Sequence, residues 1–188
     1  MCGRYAFSEE ESSELRRILA EIKKENPGAP VKTGEIFPTD PAPVLLLGQG
    51  AVRPSLCRWG FPHFRGKGVI INARAETATQ KNLFRGCVEQ RRCAVPVSGF
   101  YEWDAQKRKH LFCLPGVQSF YLAGCYQQQG QERRFVILTA QANDSVAPIH
   151  DRMPLVMDRA SAHRWICDRE AAVSFLSAPL PRLEHRGV

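Results

Sequence analysis

The chain has 188 residues, of which 44% are hydrophobic and 24% charged, the composition of an ordinary globular protein. Its net charge is +7, and most of its 26 basic residues are arginines, which bind phosphate through paired hydrogen bonds. This bias favours a polyanionic partner such as nucleic acid, although a merely soluble basic protein is the equal alternative on charge alone. No apolar run approaches the roughly 20 residues of a membrane span, and no signal peptide is recognisable. We therefore expect a cytoplasmic protein with no membrane partner.

The first predicted element is a helix near the N-terminus. Ser8 and Glu11 have the spacing of a capping box, and apolar residues then recur at helical spacing from Leu15 to Ile22. Asn26-Pro27-Gly28 is expected to end this helix. A proline-rich stretch follows, and a strand is predicted over residues 44–47.

The rest of the chain predicts mostly strands. Enrichment in β-branched and aromatic residues indicates strands over residues 69–74, 92–97, 111–114, 120–126, 133–140 and 155–157. Short helices are predicted around residues 83–84 and over 159–166 and 169–177. Because the strands do not alternate regularly with helices, a doubly wound parallel sheet is disfavoured. We predict a single α+β domain over residues 1–188, with a mainly antiparallel, barrel-like sheet and a few flanking helices.

The number and spacing of the cysteines argue against disulfide bonds and against a structural metal site. The chain has seven, an odd number, and none of them forms a CxxC pair. Without a secretory signal, a disulfide framework is not expected, and the absence of paired ligand spacings argues against zinc. We expect no metal and no cofactor, and six of the cysteines are predicted to be small buried hydrophobic residues.

The seventh, Cys2, belongs to the first chemical motif, Met1-Cys2-Gly3-Arg4. A small second residue permits removal of Met1, which would place a free amine and a thiol on adjacent carbons. An amine with a reference pKa of about 7.7–8.0 is partly unprotonated near neutrality. Such an aminothiol forms a Schiff base with an aldehyde, and its thiol then closes a thiazolidine in a favourable intramolecular step. A ring-opened abasic deoxyribose supplies such an aldehyde, although most chains that begin Met-Cys do no such chemistry.

The second motif is Asn72-Ala-Arg74-Ala-Glu76-Thr77. On a strand, Asn72, Arg74 and Glu76 would share one face. The amide could fix a sugar hydroxyl and the guanidinium could hold a phosphate. A solvated edge strand is the competing interpretation.

Two further motifs carry titratable groups among aromatic or basic neighbours. Glu102 lies in Gly-Phe-Tyr-Glu-Trp, where poor solvation would raise its pKa and suit it to general acid–base catalysis, and Trp103 could stack on bases. His150 is a candidate proton shuttle, and the neighbouring Arg152 a candidate phosphate contact. A core aromatic cluster and a structural histidine are the alternatives.

Taken together, the motifs resemble the SRAP (SOS response-associated peptidase) family. The matching segments occur in family order and span most of the chain: Met-Cys-Gly-Arg at 1–4, Arg-Trp-Gly at 58–60, Asn-Ala-Arg-Ala-Glu-Thr at 72–77, Arg-Arg-Cys-Ala-Val-Pro at 91–96, Gly-Phe-Tyr-Glu-Trp at 99–103 and His-Asp-Arg-Met-Pro at 150–154. The resemblance implies the SRAP fold and a DNA-repair protein that bonds through Cys2 to abasic sites in single-stranded DNA, shielding the lesion during the damage response.

The resemblance also implies individual roles. Cys2 is similar to the family nucleophile, Asn72 to the residue that positions the sugar, Glu102 to the acid/base and His150 to the group that assists sugar-ring opening. The implied DNA contacts are Arg4, Arg74, Arg152, Trp59, Trp103 and Pro38. At Pro38 this chain has Phe-Pro-Thr where the family usually has Ala-Pro-Thr, and beyond Pro179 it lacks the family's longer segment with a closing strand, so we expect that sheet edge to be finished differently.

Two other functions stay open. In a cysteine peptidase, Cys2 would attack a peptide carbonyl with His150 as base, and removal of the chain's own Met1 would be a single-turnover case. A non-covalent binder of modified or single-stranded DNA would instead show salt-sensitive affinity indifferent to Cys2. The sequence thus predicts a lyase-like or hydrolytic enzyme, or a binding protein, and we expect a monomer.

Overall fold

A computed structural model of the chain describes residues 2–63 and 66–188. The strands are β1 (Tyr5–Phe7), β2 (Gly34–Ile36), β3 (Pro41–Gly48), β4 (Ala51–Trp59), β5 (Phe61–Pro62), β6 (Val69–Ile70), β7 (Asn72–Arg74), β8 (Arg92–Val97), β9 (Gly99–Trp103), β10 (Lys109–Cys113), β11 (Phe120–Gln129), β12 (Glu132–Gln141), β13 (Arg152–Pro154), β14 (Val156–Met157) and β15 (Glu184–Gly187). The helices are α1 (Ser13–Glu25), α2 (Ala75–Ala78), α3 (Asn82–Gln90), α4 (Arg159–Cys167) and α5 (Arg169–Phe175). None of the helices in these ranges combines the length and the apolar character of a membrane span.

Five strands close into a barrel. Strands β4, β3, β8, β11 and β12 are hydrogen-bonded in that order, and β12 pairs back with β4. The pairs are antiparallel except for β4 with β12, which is parallel. Buried side chains from these strands, including Val44, Trp59, Val95 and Phe135, pack in one apolar cluster. The predicted α+β architecture with a barrel-like, mainly antiparallel sheet is therefore confirmed.

A second, antiparallel sheet shares this core and carries the N-terminal strand. Its order is β15–β10–β9–β1–β2. The rings of Phe100 on β9 and Phe112 on β10 stack with centroids 5.1 Å apart and belong to the same apolar cluster as the barrel residues. This sheet places β1, and the residues just before it, beside β9.

The C-terminal edge differs from the prediction. Strand β15 pairs with β10, with Phe112 opposite His185 and His110 opposite Gly187, so a closing strand is present. All four residues of β15 are exposed. A strand held by backbone hydrogen bonds at a sheet edge needs no apolar alternation, which is why no local pattern predicts this one.

Two other local predictions are corrected. Helix α1 begins at Ser13 and is capped by Ser12, whose hydroxyl accepts a hydrogen bond from the Leu15 amide at 3.3 Å, so Ser8 is not the N-cap. The single strand expected over residues 69–74 is divided, because β6 pairs with β5 whereas β7 runs parallel to β12. This division turns β7 away from the neighbouring hairpin and places it against the barrel.

One buried arginine joins two helix ends. Arg92 on β8 is only 7% exposed. Its guanidinium donates hydrogen bonds to the carbonyl oxygens of Val88 and Glu89 at the end of α3 and to those of Trp165 and Ile166 at the end of α4. A cation at the C-terminal end of a helix is favoured by the helix dipole. Here one guanidinium group provides hydrogen-bond donors to the last carbonyl groups of both α3 and α4.

The Arg92→Met variant should lower the free energy of unfolding by about 3 kcal/mol, because it keeps the apolar stem but leaves buried carbonyls without a donor. Urea unfolding followed by circular dichroism measures this loss. The control Arg85→Met changes an exposed arginine on α3 and should stay within about 0.5 kcal/mol of wild type. Equal stability of the two variants would show that the hydrogen bonds from Arg92 to α3 and α4 do not stabilise the fold.

Candidate active site

The N-terminal segment continues the pairing of β1 with β9. Tyr5 lies opposite Phe100, and the Tyr101 amide donates to the Arg4 carbonyl oxygen at 2.9 Å. The residues before β1 therefore run alongside the end of β9 that carries Glu102. Cys2 lies there with its side chain fully buried. Met1, whose removal the small second residue permits, lies outside the described residues.

Asn72 anchors Cys2 from the opposite side of the site. It is the first residue of β7, and its Nδ2 donates to the Cys2 carbonyl oxygen at 2.9 Å. Its Oδ1 is buried and has no hydrogen-bond partner within residues 2–63 and 66–188. One end of the amide thus holds the backbone of Cys2, and the other end is a buried acceptor that a ligand hydroxyl could satisfy.

Glu102 supplies a buried carboxyl group next to Cys2. The residue is 3% exposed, and burial raises the pKa of its carboxyl group. Burial also raises the pKa of the Cys2 thiol well above its usual value, and the negative charge of Glu102 adds to this rise. The site therefore favours a carboxyl group that takes up and releases protons nearer neutrality, beside a sulfur that stays protonated.

His150 completes the group from the segment between β12 and β13. Its Nε2 lies 3.9 Å from Glu102 Oε2, and its Nδ1 accepts a hydrogen bond from the Arg152 amide at 3.0 Å. Asp151 Oδ1 is also 3.0 Å from Nδ1, but 79% of that side chain is exposed, so water screens it and the fixed amide donor decides the tautomer. In the neutral ring the proton is then on Nε2, directed towards Glu102.

The predicted DNA contacts are placed less uniformly. Arg4 and Trp103 lie together, with the Arg4 guanidinium carbon 5.1 Å from the Trp103 ring centroid. Arg74 is exposed at the end of β7, and Pro38 is partly exposed. Contact of these four residues with DNA stays a prediction. Phe37, 38% exposed and only 4.0 Å from the Arg4 guanidinium carbon, was not selected from the sequence, although its departure from the family's alanine was a signal.

Trp59 cannot contribute to a DNA groove in this structure. Its side chain is 0% exposed, its Nε1 donates to the Ile71 carbonyl oxygen at 3.1 Å, and its ring packs 5.2 Å from that of Tyr5. The prediction that Trp59 contacts DNA is therefore wrong. Position 59 ends a barrel strand, and its side chain points into the core rather than to the surface.

Arg152 is engaged within the protein. Its Nη1 and Nη2 donate to the two carboxylate oxygens of Glu76 at 2.6 and 2.9 Å, and Nη2 also donates to the Thr139 carbonyl oxygen at 2.6 Å. Only 11% of the side chain is exposed. A phosphate contact by Arg152 stays a prediction, and it would require displacement of Glu76.

Comparison with known proteins identifies the family. The family model described as SOS response associated peptidase (SRAP) matches residues 1–186. The chain belongs to the SRAP family. The resemblance stated from the six matching segments is thereby confirmed.

Curated relatives and a solved structure agree with this membership. The SRAP chain is 28% identical to abasic site processing protein YedK of Escherichia coli over 176 residues, or 88% of this chain and 79% of YedK. It is 27% identical to abasic site processing protein YoqW of Bacillus subtilis over an alignment of 200 positions, which covers 96% of this chain and 86% of YoqW. Its fold is similar to that of a phage-related protein from Bordetella bronchiseptica, with a TM-score of 0.75, 25% identity and coverage of 100% of this chain and 94% of the other.

Proposed function

We propose that this SRAP protein processes abasic sites by forming a thiazolidine between Cys2 and the ring-opened sugar of a lesion in single-stranded DNA. The observation that carries the proposal is the arrangement of three side chains: the Asn72 amide holds the Cys2 backbone, the Glu102 carboxyl group acts on the Cys2 thiol, and the His150 imidazole lies 3.9 Å from that carboxyl group. The names of YedK and YoqW, both abasic site processing proteins, support the choice of lesion.

The reaction uses the amine of Cys2 once Met1 has been removed. The amine nitrogen bonds to the C1′ aldehyde carbon, and the resulting carbinolamine loses water to give an imine. The Cys2 sulfur then adds to the imine carbon while its proton passes to the nitrogen, which closes the ring. The product contains every atom of the two reactants except one water molecule.

Three side chains move or hold protons during these steps. A Glu102 carboxylate accepts a proton from the Cys2 ammonium and returns it to the departing carbinolamine hydroxyl, a task suited to a group whose pKa is raised by burial. The Nε2 proton of His150 serves the sugar oxygen as the ring opens. The Asn72 amide keeps the Cys2 backbone in place and offers Oδ1 to a sugar hydroxyl.

The state of the thiol separates this reaction from peptide hydrolysis. A cysteine peptidase attacks with a thiolate, which needs a lowered thiol pKa. Burial and Glu102 instead raise the pKa of the Cys2 thiol. A neutral thiol is adequate for thiazolidine formation, because the amine makes the first bond and the sulfur adds later. The direction of this shift supports capture of an aldehyde over attack on a peptide bond.

The test compares three single strands on a denaturing gel: one with an abasic site, one with a ring-closed tetrahydrofuran analogue that has no aldehyde, and one undamaged. We expect a denaturation-resistant adduct with the abasic strand alone. Absence of that adduct, or an equal adduct with the analogue, would contradict the proposal. Intact-mass measurement of the adduct must also show a chain that lacks Met1.

A further inference from the structure

Two cysteines meet between helix α3 and the outer side of the barrel. The side chains of Phe84, Cys87 and Val88 are buried on one face of α3, as expected for residues three and four positions apart. Cys125 lies on β11, and its buried side chain belongs to the same apolar cluster as these three residues. We call Cys87 and Cys125 the thiol pair.

Contacts at the end of α3 hold the thiol pair together. The Arg91 amide donates to the Cys87 carbonyl oxygen at 2.8 Å, so Arg91 lies one helical turn beyond Cys87. The Tyr126 amide donates to the Arg91 carbonyl oxygen at 2.8 Å, and Arg91 Nε donates to the Tyr126 carbonyl oxygen at 3.3 Å. Because Tyr126 directly follows Cys125, the last turn of α3 is fixed beside that cysteine. The Cys125 thiol accordingly donates a hydrogen bond to the Cys87 sulfur.

We propose that the thiol pair is an oxidation site, at which a small hydroperoxide converts Cys87 and Cys125 into a reversible disulfide bond. Both cysteines are free thiols in the structure, and neither takes part in the reaction proposed for Cys2. A bond that forms only on oxidation is distinct from the structural disulfides that the spacing of the cysteines argues against.

The reaction consumes one hydrogen peroxide molecule for each disulfide. The Cys87 thiolate attacks one peroxide oxygen, the O–O bond breaks, and the departing hydroxide takes up a proton to become water. Cys87 is then a sulfenic acid. The Cys125 sulfur attacks the Cys87 sulfur, the S–O bond breaks, and the Cys125 proton leaves with the hydroxyl group as a second water molecule. Two thiols are thereby oxidised and one peroxide is reduced.

The charge environment favours Cys87 as the residue that attacks. The hydrogen bond from Cys125 and the one from Arg91 Nη2, at 3.6 Å, lower the pKa of the Cys87 thiol although burial opposes them. The pKa of each of the other six cysteine thiols is raised. A thiolate is the form of cysteine that reacts with an oxidant, and the protonated Cys125 is in place to close the bond.

The nearby cysteines of the barrel are separated from the thiol pair by the sheet. Cys93 and Cys57 belong to the apolar cluster inside the barrel, whereas Cys87 and Cys125 belong to the cluster between the barrel and the helices. Neither Cys93 nor Cys57 can therefore reach the Cys87 sulfur without disruption of the barrel. The geometry selects Cys125 as the partner.

Arg91 controls access to the Cys87 sulfur. Cys87 is only 3% exposed and Cys125 is fully buried. A side chain added at Gly86 would meet Arg91 Nη2 at 3.6 Å, so the guanidinium group lies over this turn of α3. Arg91 is itself partly exposed, and side chains of that kind change rotamer within nanoseconds. Such a movement admits a molecule as small as hydrogen peroxide but excludes a bulky thiol.

The test treats the reduced, folded protein with hydrogen peroxide and maps its cysteines by mass spectrometry. We expect the loss of two hydrogen atoms per chain, a link between the peptides that contain Cys87 and Cys125, and full reversal by dithiothreitol. The Cys125→Ala variant should instead accumulate a sulfenic acid at Cys87, which dimedone traps. The Cys87→Ala variant should give neither product.

The pH dependence separates the thiol pair from an ordinary thiol in the same chain. Between pH 8 and pH 6 the rate of disulfide formation should fall by no more than about 5-fold, because the lowered pKa keeps Cys87 a thiolate. Peroxide oxidation of the exposed Cys167 should fall by about 100-fold over the same range, as for a thiol with a pKa of about 8.5 or more.

Two variants serve as controls. Cys113→Ala removes a partly exposed cysteine, and Cys2→Ala removes the candidate nucleophile; both should form the Cys87–Cys125 bond at the wild-type rate. A disulfide that joins a different pair of cysteines, or oxidation of Cys87 that loses as much rate at pH 6 as Cys167 does, would overturn the proposal.

Discussion

The Cys2→Ala variant should lose the denaturation-resistant adduct with an abasic strand, by about 1,000-fold or more, as expected when a covalent nucleophile is removed. The variant keeps its terminal amine but has no sulfur to close the ring. It should therefore still form an imine, which borohydride converts to a stable link. Gel assays with and without borohydride measure the two species separately.

Two control variants test whether the stable adduct requires sulfur, and whether it requires the cysteine at position 2. Cys2→Ser places a weaker nucleophile on the same carbon and should give a short-lived adduct that borohydride stabilises. Cys167→Ala removes an exposed cysteine and should react like wild type. A stable adduct that persists in Cys2→Ala without borohydride would show that a different residue captures the sugar.

The Glu102→Gln variant should form the adduct about 100- to 10,000-fold more slowly, the usual contribution of a general acid–base group. Glutamine keeps the size and polarity of the side chain but cannot take up or release a proton. Single-turnover adduct formation on the abasic strand measures the rate. The control Glu25→Gln changes an exposed carboxylate at the end of α1 and should leave the rate unchanged, and thermal melts check that both variants are folded.

The pH dependence follows from the direction of the Glu102 shift. Burial raises the pKa of this carboxyl group, so the carboxylate that accepts a proton accumulates only as the pH rises through the raised value. The wild-type rate should increase over that window and again as the amine loses its proton near its reference pKa of about 7.7–8.0. The Glu102→Gln variant should lose the rate increase at lower pH, which belongs to the carboxyl group, and keep the increase at higher pH, which belongs to the amine. A lower step that survives in the variant would assign it to another group.

Much of the fold was predictable because local pattern and tertiary environment agree. Strand β8 has the predicted bounds, 92–97, since its β-branched and apolar residues are buried from end to end. Helix α4 also forms where a helix was predicted over 159–166, and the Asp158 carboxylate caps it by accepting a hydrogen bond from the Ser161 amide at 2.7 Å. The wrong predictions concern residues whose environment depends on contacts with distant parts of the chain. Ser8 had a capping pattern, but α1 starts at Ser13, where Leu15 and Ile18 can reach the core.

The sequence by itself determined the family and the fold class and singled out Asn72, Glu102 and His150 as candidate site residues, because the types and order of motif residues are properties of the chain. Only the tertiary structure decided which of these residues are buried and which partners they contact. It buried Glu102 and Cys2, placed Trp59 in the core, engaged Arg152 with Glu76 and exposed Phe37 beside Arg4. Burial and pairing depend on contacts between residues far apart in the chain, and no local pattern encodes which partner will be there.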